Sequence, residues 1–273
     1  TDPIEQAHVI PHTSAQRCPR KSWHQVRKDK KSQMKEDSIL FENHFNGFCN
    51  GTYIEMGAVD GLAFSNSYLW NKQFGFQGLL IELIPEKFEQ CKVNRPDELA
   101  VVNAAVCNQK QDVHVVEIKK WGGVVNGVWE FASEEYRKKV WPKIKDPSNL
   151  KTVPCLPMAD IFDKHVAKEP RVARSQLTGN PDDGTGNKVH YFFDFYSLDV
   201  EGAEFSVLQS IDWTRTAFGV LFLESVYKNQ SEDRTNTITK FLNEKGYKFL
   251  GEQNGSLWYQ HKDYEKIYDA VTP

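Results

Sequence analysis

Residues 52–61 read Thr52-Tyr53-Ile54-Glu55-Met56-Gly57-Ala58-Val59-Asp60-Gly61 and combine an apolar run with a glycine-containing turn. The first half of this stretch is an apolar strand that carries one acid. Its glycines let the backbone turn tightly and approach a ligand without a Cβ in the way. A helical stretch and a second apolar strand, Gly78-Leu79-Leu80-Ile81-Glu82, follow. Strands of this kind, separated by helices of about ten residues, are typical of a parallel sheet in an α/β fold.

The same alternation of strands and helices runs through the rest of the chain. Apolar runs predict the strands, and helical periodicity predicts the helices between them. The Asn254-Gly255 pair suits a tight turn and predicts a closing hairpin. We therefore predict an α/β fold with a doubly wound, mostly parallel, seven-stranded Rossmann-like sheet and a C-terminal antiparallel hairpin. The predicted strands of this sheet are 52–56, 78–82, 99–106, 191–200, 218–224, 247–250 and 256–260, and residues 113–118 predict an extra strand. The main predicted helices are 66–74, 85–93, 158–167, 204–211 and 232–245.

Length and composition predict how the chain is divided. It has 273 residues, of which 40% are hydrophobic and 26% are charged, and this excludes a disordered chain or a coiled coil. We predict one domain over residues 35–273, with a lid at 117–152 and a flexible surface insertion at 171–189. Residues 1–34 lack apolar periodicity and carry a basic run. They are predicted to form an irregular, solvated N-terminal stem, with a patch for an anionic ligand as the alternative.

Charge and hydropathy limit the partners of this chain. Its formal net charge of -3 provides no general attraction for nucleic acid or for an anionic membrane, so no nucleic-acid partner is expected. No run of about 18 apolar residues could span a bilayer. The sequence begins Thr1-Asp2-Pro3, as a processed product would, so an N-terminal anchor could have been removed.

The five cysteines form no CxxC motif, which excludes the common zinc and thioredoxin motifs. Cys107 closes the third predicted strand and Cys155 precedes a helix, so the fold could bring the two together as a disulfide. Free buried thiols are the alternative. The compartment therefore stays open between the secretory-pathway lumen and the cytoplasm.

Ligands of open parallel sheets bind outside the carboxyl ends of the strands, so the residues there are the candidate site. The turn after the first strand is not the GxGxxG fingerprint, because Gly57 and Gly61 do not have its spacing. This argues against a nicotinamide oxidoreductase. The second strand ends on Glu82, 25 residues after Gly57, where a carboxylate can accept both hydroxyls of a ribose.

Acids also follow the later strands. The sequence Asp199-Val200-Glu201-Gly202-Ala203-Glu204 places three acids within six residues, and Glu224 ends the fifth strand. Such a cluster costs electrostatic repulsion unless a cation, a metal or a general-base role compensates. The alternative is an acidic helix N-terminus, which the helix dipole stabilises by itself. The cluster could hold Mg²⁺, but a divalent metal is not favoured.

Taken together, these segments resemble the FkbM-type S-adenosylmethionine-dependent methyltransferases. The resemblance covers about residues 35–260, and its most specific part is the Asp-Val-Glu-Gly-Ala-Glu block at 199–204. The other matching segments are Tyr53 to Gly61, Phe64-Ser65-Asn66-Ser67, Leu80-Ile81-Glu82, Val102-Asn103-Ala104-Ala105-Val106 and Leu223-Glu224.

The resemblance implies S-adenosylmethionine as the cofactor and a role for each matching residue. Ser65 and Asn66 would offer hydrogen bonds to the methionine carboxylate, assisted by the positive end of the following helix. Glu82 would hold the ribose hydroxyls, and Asp199 would face the ammonium or sulfonium side. Residues lining the methionine portion would be Glu55, Gly57, Ala58, Asp60 and Gly61, and those flanking the adenine would be Asn103 and Ala104.

The predicted activity is methyl transfer to a hydroxyl of a sugar or a similar small polar acceptor, including a glycan. Such a reaction needs alignment of the acceptor and removal of its proton. The candidate bases are Glu201, Glu204 and Glu224. The alternative is a catalytically silent domain that keeps the fold as a protein-interaction or trafficking module.

Overall fold

A computed structural model describes residues 11–118, 125–175, 189–225 and 232–272. The strands are β1 (Gln16–Arg17), β2 (Phe48–Cys49), β3 (Thr52–Met56), β4 (Gln77–Glu82), β5 (Ala100–Asn103), β6 (Ala105–Val106), β7 (Gln111–Val116), β8 (Gly127–Val128), β9 (Lys151–Leu156), β10 (Ala173–Ser175), β11 (Val189–Leu198), β12 (Thr216–Glu224), β13 (Tyr247–Gln253) and β14 (Ser256–His261). The helices are α1 (Trp23–Val26), α2 (Glu36–Leu40), α3 (Tyr68–Phe74), α4 (Pro85–Asn94), α5 (Glu134–Val140), α6 (Met158–His165), α7 (Glu204–Gln209), α8 (Glu232–Glu244) and α9 (Tyr264–Asp269), and a π-helical turn over Phe41–Phe45 continues α2.

The main sheet has the strand order β13-β14-β12-β11-β3-β4-β5. The five strands from β12 to β5 are parallel, so the predicted α/β fold with a mostly parallel sheet is confirmed. The sheet is mixed, because β14 and β13 pair antiparallel at one edge and β10 pairs antiparallel with the start of β11. From β3 the chain first builds outward through β4 and β5 and later returns to β11 on the other side. The junction of β3 and β11 is therefore the topological switch point.

Helices cover both faces of this sheet, as its buried strands require. Neighbouring residues of β3 point to opposite faces, so Tyr53 and Ile54 belong to different apolar clusters. One face packs against residues of α6, α7 and α8, and the other packs against residues of α2, α3, α4 and α9. The sheet is thus held between two apolar layers.

A second sheet, of order β6-β9-β7-β8, adjoins the carboxyl end of β5. The prediction of a single strand over 99–106 is wrong. The strand is interrupted at Ala104, whose N–H donates to the backbone oxygen of Glu82 (3.2 Å). The predicted lid at 117–152 contributes β8, α5 and the start of β9. Residues 119–124 of it, with Trp121, lie outside the described residues.

In the described part of the predicted flexible insertion at 171–189, residues 173–175 form β10 on the edge of β11, and residue 189 begins β11. The flexibility of this segment stays a prediction. Residues 176–188 lie outside the described part of the chain.

The N-terminal segment from residue 11 packs against the domain instead of being wholly solvated. Thr13 is buried and its hydroxyl donates to Asp194 of β11 (2.5 Å). Val26 is buried as well, and Cys18 forms a disulfide with Cys49. These contacts between the N-terminal segment and the domain are made by single side chains, so no apolar periodicity in the sequence predicted them.

A second disulfide joins Cys107 and Cys155, and Cys91 is a buried free cysteine. Cys155 lies in β9 and Cys107 directly follows β6, its parallel partner, so strand pairing brings the two together. Within the described residues, no helix combines the length and apolar character that a bilayer crossing needs.

Candidate functional site

A cleft opens at the carboxyl ends of β3, β4, β11 and β12, where a doubly wound sheet binds its ligands. Eight of the predicted site residues line it: Glu55, Gly57, Asn66, Glu82, Ala104, Asp199, Glu201 and Glu224. The structure therefore brings together residues that lie up to 169 positions apart, since 224 minus 55 is 169. The other six predicted residues, Ala58, Asp60, Gly61, Ser65, Asn103 and Glu204, are not among those that line it.

The glycine turn lets two strand ends meet closely. Gly57 has a φ of +85°, and a Cβ there would lie 2.0 Å from the backbone oxygen of Asp199. Asp199 in turn donates its N–H to the oxygen of Met56 (3.2 Å). Any side chain at position 57 would force β3 and β11 apart, so Gly57 is required by the packing of the cleft floor.

Glu82 is buried at the end of β4, with 6% of its surface exposed. Its two oxygens accept hydrogen bonds from the N–H groups of Val59 (2.8 Å) and Ile84 (2.7 Å). Burial raises the pKa of Glu82 to about 7. A carboxylate has about four acceptor positions, so this one can hold the glycine turn and still accept from a ligand in the cleft.

Glu55 lies on β3 and accepts three hydrogen bonds from the loop that leads to α3. The donors are the hydroxyl of Ser65 (2.9 Å), the backbone N–H of Asn66 (2.7 Å) and the hydroxyl of Ser67. Ser65 thus turns toward Glu55. Asn66 lines the cleft, and its amide donates to Ser197 (2.9 Å), whereas its Oδ1 is buried without a hydrogen-bond partner within the described structure.

Three acids form the opposite wall. One carboxylate oxygen each of Asp199, Glu201 and Glu224 lies within 4.8 Å of the others. Burial raises the pKa of Asp199 and of Glu224, and the hydrogen bond between the two carboxyls raises that of Glu224 further. Burial, followed by repulsion from Asp199, raises the pKa of Glu201 to about 8. The spacing suits hydroxyl donors, a cation or a shared proton.

Glu201 and Glu204 have different surroundings although both were predicted as bases. Glu201 has a φ of 53° and faces the cleft, where it accepts a hydrogen bond from the hydroxyl of Tyr136. Glu204 is 2% exposed and accepts from the N–H groups of Val200 (3.3 Å) and Gly202 (3.1 Å). It also pairs with Arg234. Glu204 therefore holds the loop that presents Glu201.

The remaining predicted residues support the cleft from behind. Asp60 accepts from the N–H groups of Leu62 (2.9 Å) and Ala63 (2.7 Å), and Asn103 donates to the backbone oxygens of Glu82 (2.8 Å) and Leu83 (2.9 Å). Ala58 is buried in the apolar layer, and Gly61 adopts a φ of +79° beside Arg95.

Several residues at the site were missed by sequence reasoning. Gln33, Lys87 and Asn126 line the cleft but belong to no strand end, so no local signal pointed to them. Ser197 is a polar residue near the end of a buried strand, which was a usable signal. Tyr136 lies on α5 within the predicted lid, and only the fold brings it to Glu201.

Residues 187–249 match the model of the methyltransferase FkbM domain. The resemblance to the FkbM methyltransferases is confirmed. The match spans β11, α7 and β12, and it therefore includes all three acids of the cleft wall. Among curated protein sequences, none matches this chain.

Two solved structures are similar over most of their length. Precorrin-6y C5,15-methyltransferase from Geobacter metallireducens GS-15 shares 11% identity over 85% of this chain and 89% of its own, with a TM-score of 0.37. A SAM dependent methyltransferase from Aquifex aeolicus shares 12% identity over 88% of this chain and 97% of its own, with a TM-score of 0.39.

The buried acids predict that the stability of the ligand-free protein falls as pH rises from about 6.5 to 8.5. The pKa values of Glu36 and Glu82 are raised by burial to about 7, and that of Glu201 to about 8, from an ordinary 4.5. In this window the native state binds more protons than the unfolded state, so the free energy of unfolding decreases with pH. Buried His44, whose pKa burial lowers to about 4, is neutral in both states through most of this window.

Urea unfolding at several pH values measures this slope. Glu82→Gln, which cannot ionise, is expected to flatten it, whereas Glu89→Gln at an exposed position is not. A stability that rises over the same window would contradict these protonation states.

Proposed function

We propose that this chain binds S-adenosylmethionine in the cleft and transfers its methyl group to a hydroxyl oxygen of a sugar or a similar small polar acceptor. The observation that carries the proposal is the character of the cleft at the switch point. It presents the carboxylate of Glu82, the unpartnered Oδ1 of Asn66 and a wall of three acids. All of these are acids or hydrogen-bond acceptors.

The residues fit three parts of this cofactor, the ribose diol, the ammonium group and the sulfonium, because these groups are donors or cations. Its ribose diol and its ammonium group donate hydrogen bonds, and its sulfonium is a cation. A dinucleotide would instead bring an anionic pyrophosphate into a cleft lined by acids, and like charges that lie close together repel each other. The acidic lining therefore favours S-adenosylmethionine over a nicotinamide cofactor.

When bound, S-adenosylmethionine supplies a methyl group that its sulfonium has already activated. The chain then has to bind the cofactor, orient the acceptor and remove the proton of the acceptor hydroxyl. Glu82 accepts from the ribose hydroxyls, and Asn66 Oδ1 accepts from the ammonium group. The Asp199 and Glu224 carboxyls share a proton, so the cluster is less repulsive than three free charges.

Glu201 is the residue that takes the proton of the acceptor hydroxyl. Its Oε2 accepts from Tyr136, which leaves Oε1 available to the acceptor. A pKa near the working pH is the property that a general base needs, and burial gives Glu201 a pKa of about 8. A cationic sulfonium nearby would lower this pKa and so favour the basic form. No step requires a metal, although the three acids could hold one.

We expect Glu82→Ala to weaken binding of S-adenosylmethionine by about 10-fold to 150-fold, since a charged hydrogen-bond acceptor contributes roughly 1.5 to 3 kcal/mol. Titration calorimetry with the cofactor measures this. The exposed Glu89→Ala serves as the matched control and should bind as the wild-type chain does.

Absence of binding to the wild-type chain at millimolar cofactor would contradict the proposal and favour the silent interaction module. Binding of a nicotinamide dinucleotide in its place would favour an oxidoreductase.

A further inference from the structure

Arg95 is a fully buried guanidinium at the end of α4, behind the cleft wall. It is 1% exposed and is absent from the cleft lining. It forms an ion pair with Glu98 (2.6 Å) and donates to the hydroxyl of Tyr53 (2.6 Å) and the backbone oxygen of Gly61 (2.9 Å). These contacts account for its charge, but they do not account for its two remaining hydrogen bonds.

Those two bonds go to serine hydroxyls. Nη1 of Arg95 donates to Ser65 Oγ (3.1 Å) and Nη2 donates to Ser67 Oγ (3.0 Å). A guanidinium is a donor only, and a hydroxyl has a single proton. Each serine must therefore accept from Arg95 and direct its own proton elsewhere.

Both serine protons go to the same oxygen. Ser65 and Ser67 donate to Oε2 of Glu55, and the remaining Oε1 accepts the backbone N–H of Asn66 (2.7 Å). Glu55 is thus held by donors on both oxygens. Glu55 in turn holds the loop that carries Asn66. The side-chain amide of Asn66 donates to the hydroxyl of Ser197. Because Arg95 can only donate, it sets the direction of the two serine hydrogen bonds to Glu55.

We propose that Arg95 is a positioning residue for cofactor binding, acting through Ser65 and Ser67 on Glu55 and through Glu55 on Asn66. This inference rests on the proposed function. It explains why Ser65 and Ser67 are buried although neither lines the cleft. It also explains the glycine at position 61, where a Cβ would lie 2.7 Å from Cγ of Arg95.

The hydrogen bonds from Arg95 through Ser65 and Ser67 to Glu55 are called the relay. The test compares two variants of the relay with a control variant at a buried residue that does not contact it. Arg95→Lys keeps the charge opposite Glu98 but loses the planar fork that reaches both hydroxyls. Ser65→Ala/Ser67→Ala leaves the Arg95–Glu98 pair intact and removes the relay itself. Thr13→Ala removes two other buried hydrogen bonds, one donated to Asp194 on β11 and one accepted from the N–H of Ala15, and it measures the effect of destabilisation alone.

Three properties of the full chain are measured: the melting temperature, the Kd for S-adenosylhomocysteine, and the hydrogen-exchange rate of the backbone N–H of Asn66 without ligand. Both relay variants are expected to raise the Kd at least 10-fold and to accelerate exchange at Asn66. Thr13→Ala is expected to lower the melting temperature while its Kd stays within twofold of wild type. If Arg95→Lys does not fold, the double serine variant decides.

Relay variants that bind within twofold of wild type would overturn the inference, and so would a Thr13→Ala variant that loses as much affinity as they do. If the wild-type chain does not bind S-adenosylhomocysteine, the proposed function fails. In that case unchanged exchange at Asn66 in the serine variant would overturn the relay on its own, and faster exchange would support it.

Discussion

Replacing Glu201 by Gln is expected to lower the rate of methyl transfer by about a hundredfold or more, the usual scale for the loss of a general base. The amide keeps the size of the side chain and its contact with Tyr136 but cannot take a proton. The affinity for S-adenosylmethionine should change little, because Glu82 and Asn66 hold the cofactor in this proposal. The acceptor is first found by screening hydroxyl compounds with methyl-labelled cofactor, and single-turnover rates are then measured.

Glu224→Gln is the matched comparison. Because burial and Asp199 raise the pKa of Glu224 far above its usual range, this carboxyl is protonated at neutral pH, and Gln imitates that form. We expect its rate to fall much less than that of Glu201→Gln. If both variants keep full turnover, the acids are structural and the base lies elsewhere, even if cofactor binding survives.

The pH dependence of the rate gives a second check on the base. A base acts in its deprotonated form, so the rate should rise with pH up to an apparent pKa at or below about 8 and then level off. Glu201→Gln should lose this limb, and Glu224→Gln should keep it. Loss of activity on adding a chelator would instead assign Asp199, Glu201 and Glu224 to a metal.

Removing the Cys107–Cys155 disulfide, as Cys107→Ser/Cys155→Ser, is expected to lower the free energy of unfolding by about 2 to 5 kcal/mol. The bond closes 48 residues that include β7, β8 and α5, so the unfolded chain gains much freedom when it is lost. Urea unfolding with and without reductant measures the loss. The double variant should respond less to reductant than the wild-type chain, because only Cys18–Cys49 remains to be reduced.

Thiol counting checks the premise directly. With two disulfides among five cysteines, the denatured but unreduced chain should carry a single alkylatable thiol, at Cys91. Five alkylated thiols would contradict both bonds. If both disulfides persist in that experiment, the result would favour the secretory-pathway lumen over the cytoplasm, because stable disulfides are typical of oxidising compartments.

The α/β class, most element positions and the edge of the sheet at which the cleft lies could be predicted from the sequence. These properties depend on neighbouring residues: the apolar run before Gly57, the helix that begins at Pro85 and the acids at the strand ends can all be read within a window of about ten residues. The FkbM resemblance rests on the same local segments.

Tertiary structure alone decided which of these residues face the cleft and which hold them in place. Glu201 and Glu204 are three positions apart, yet one faces the cleft beside Tyr136 and the other pairs with Arg234. Thr13 contacts Asp194 across 181 positions, and no periodicity marks the residues before it. Which side chains contact each other depends on their distance in the folded protein. Contacts between segments that are far apart in the sequence therefore cannot be read from a local sequence pattern.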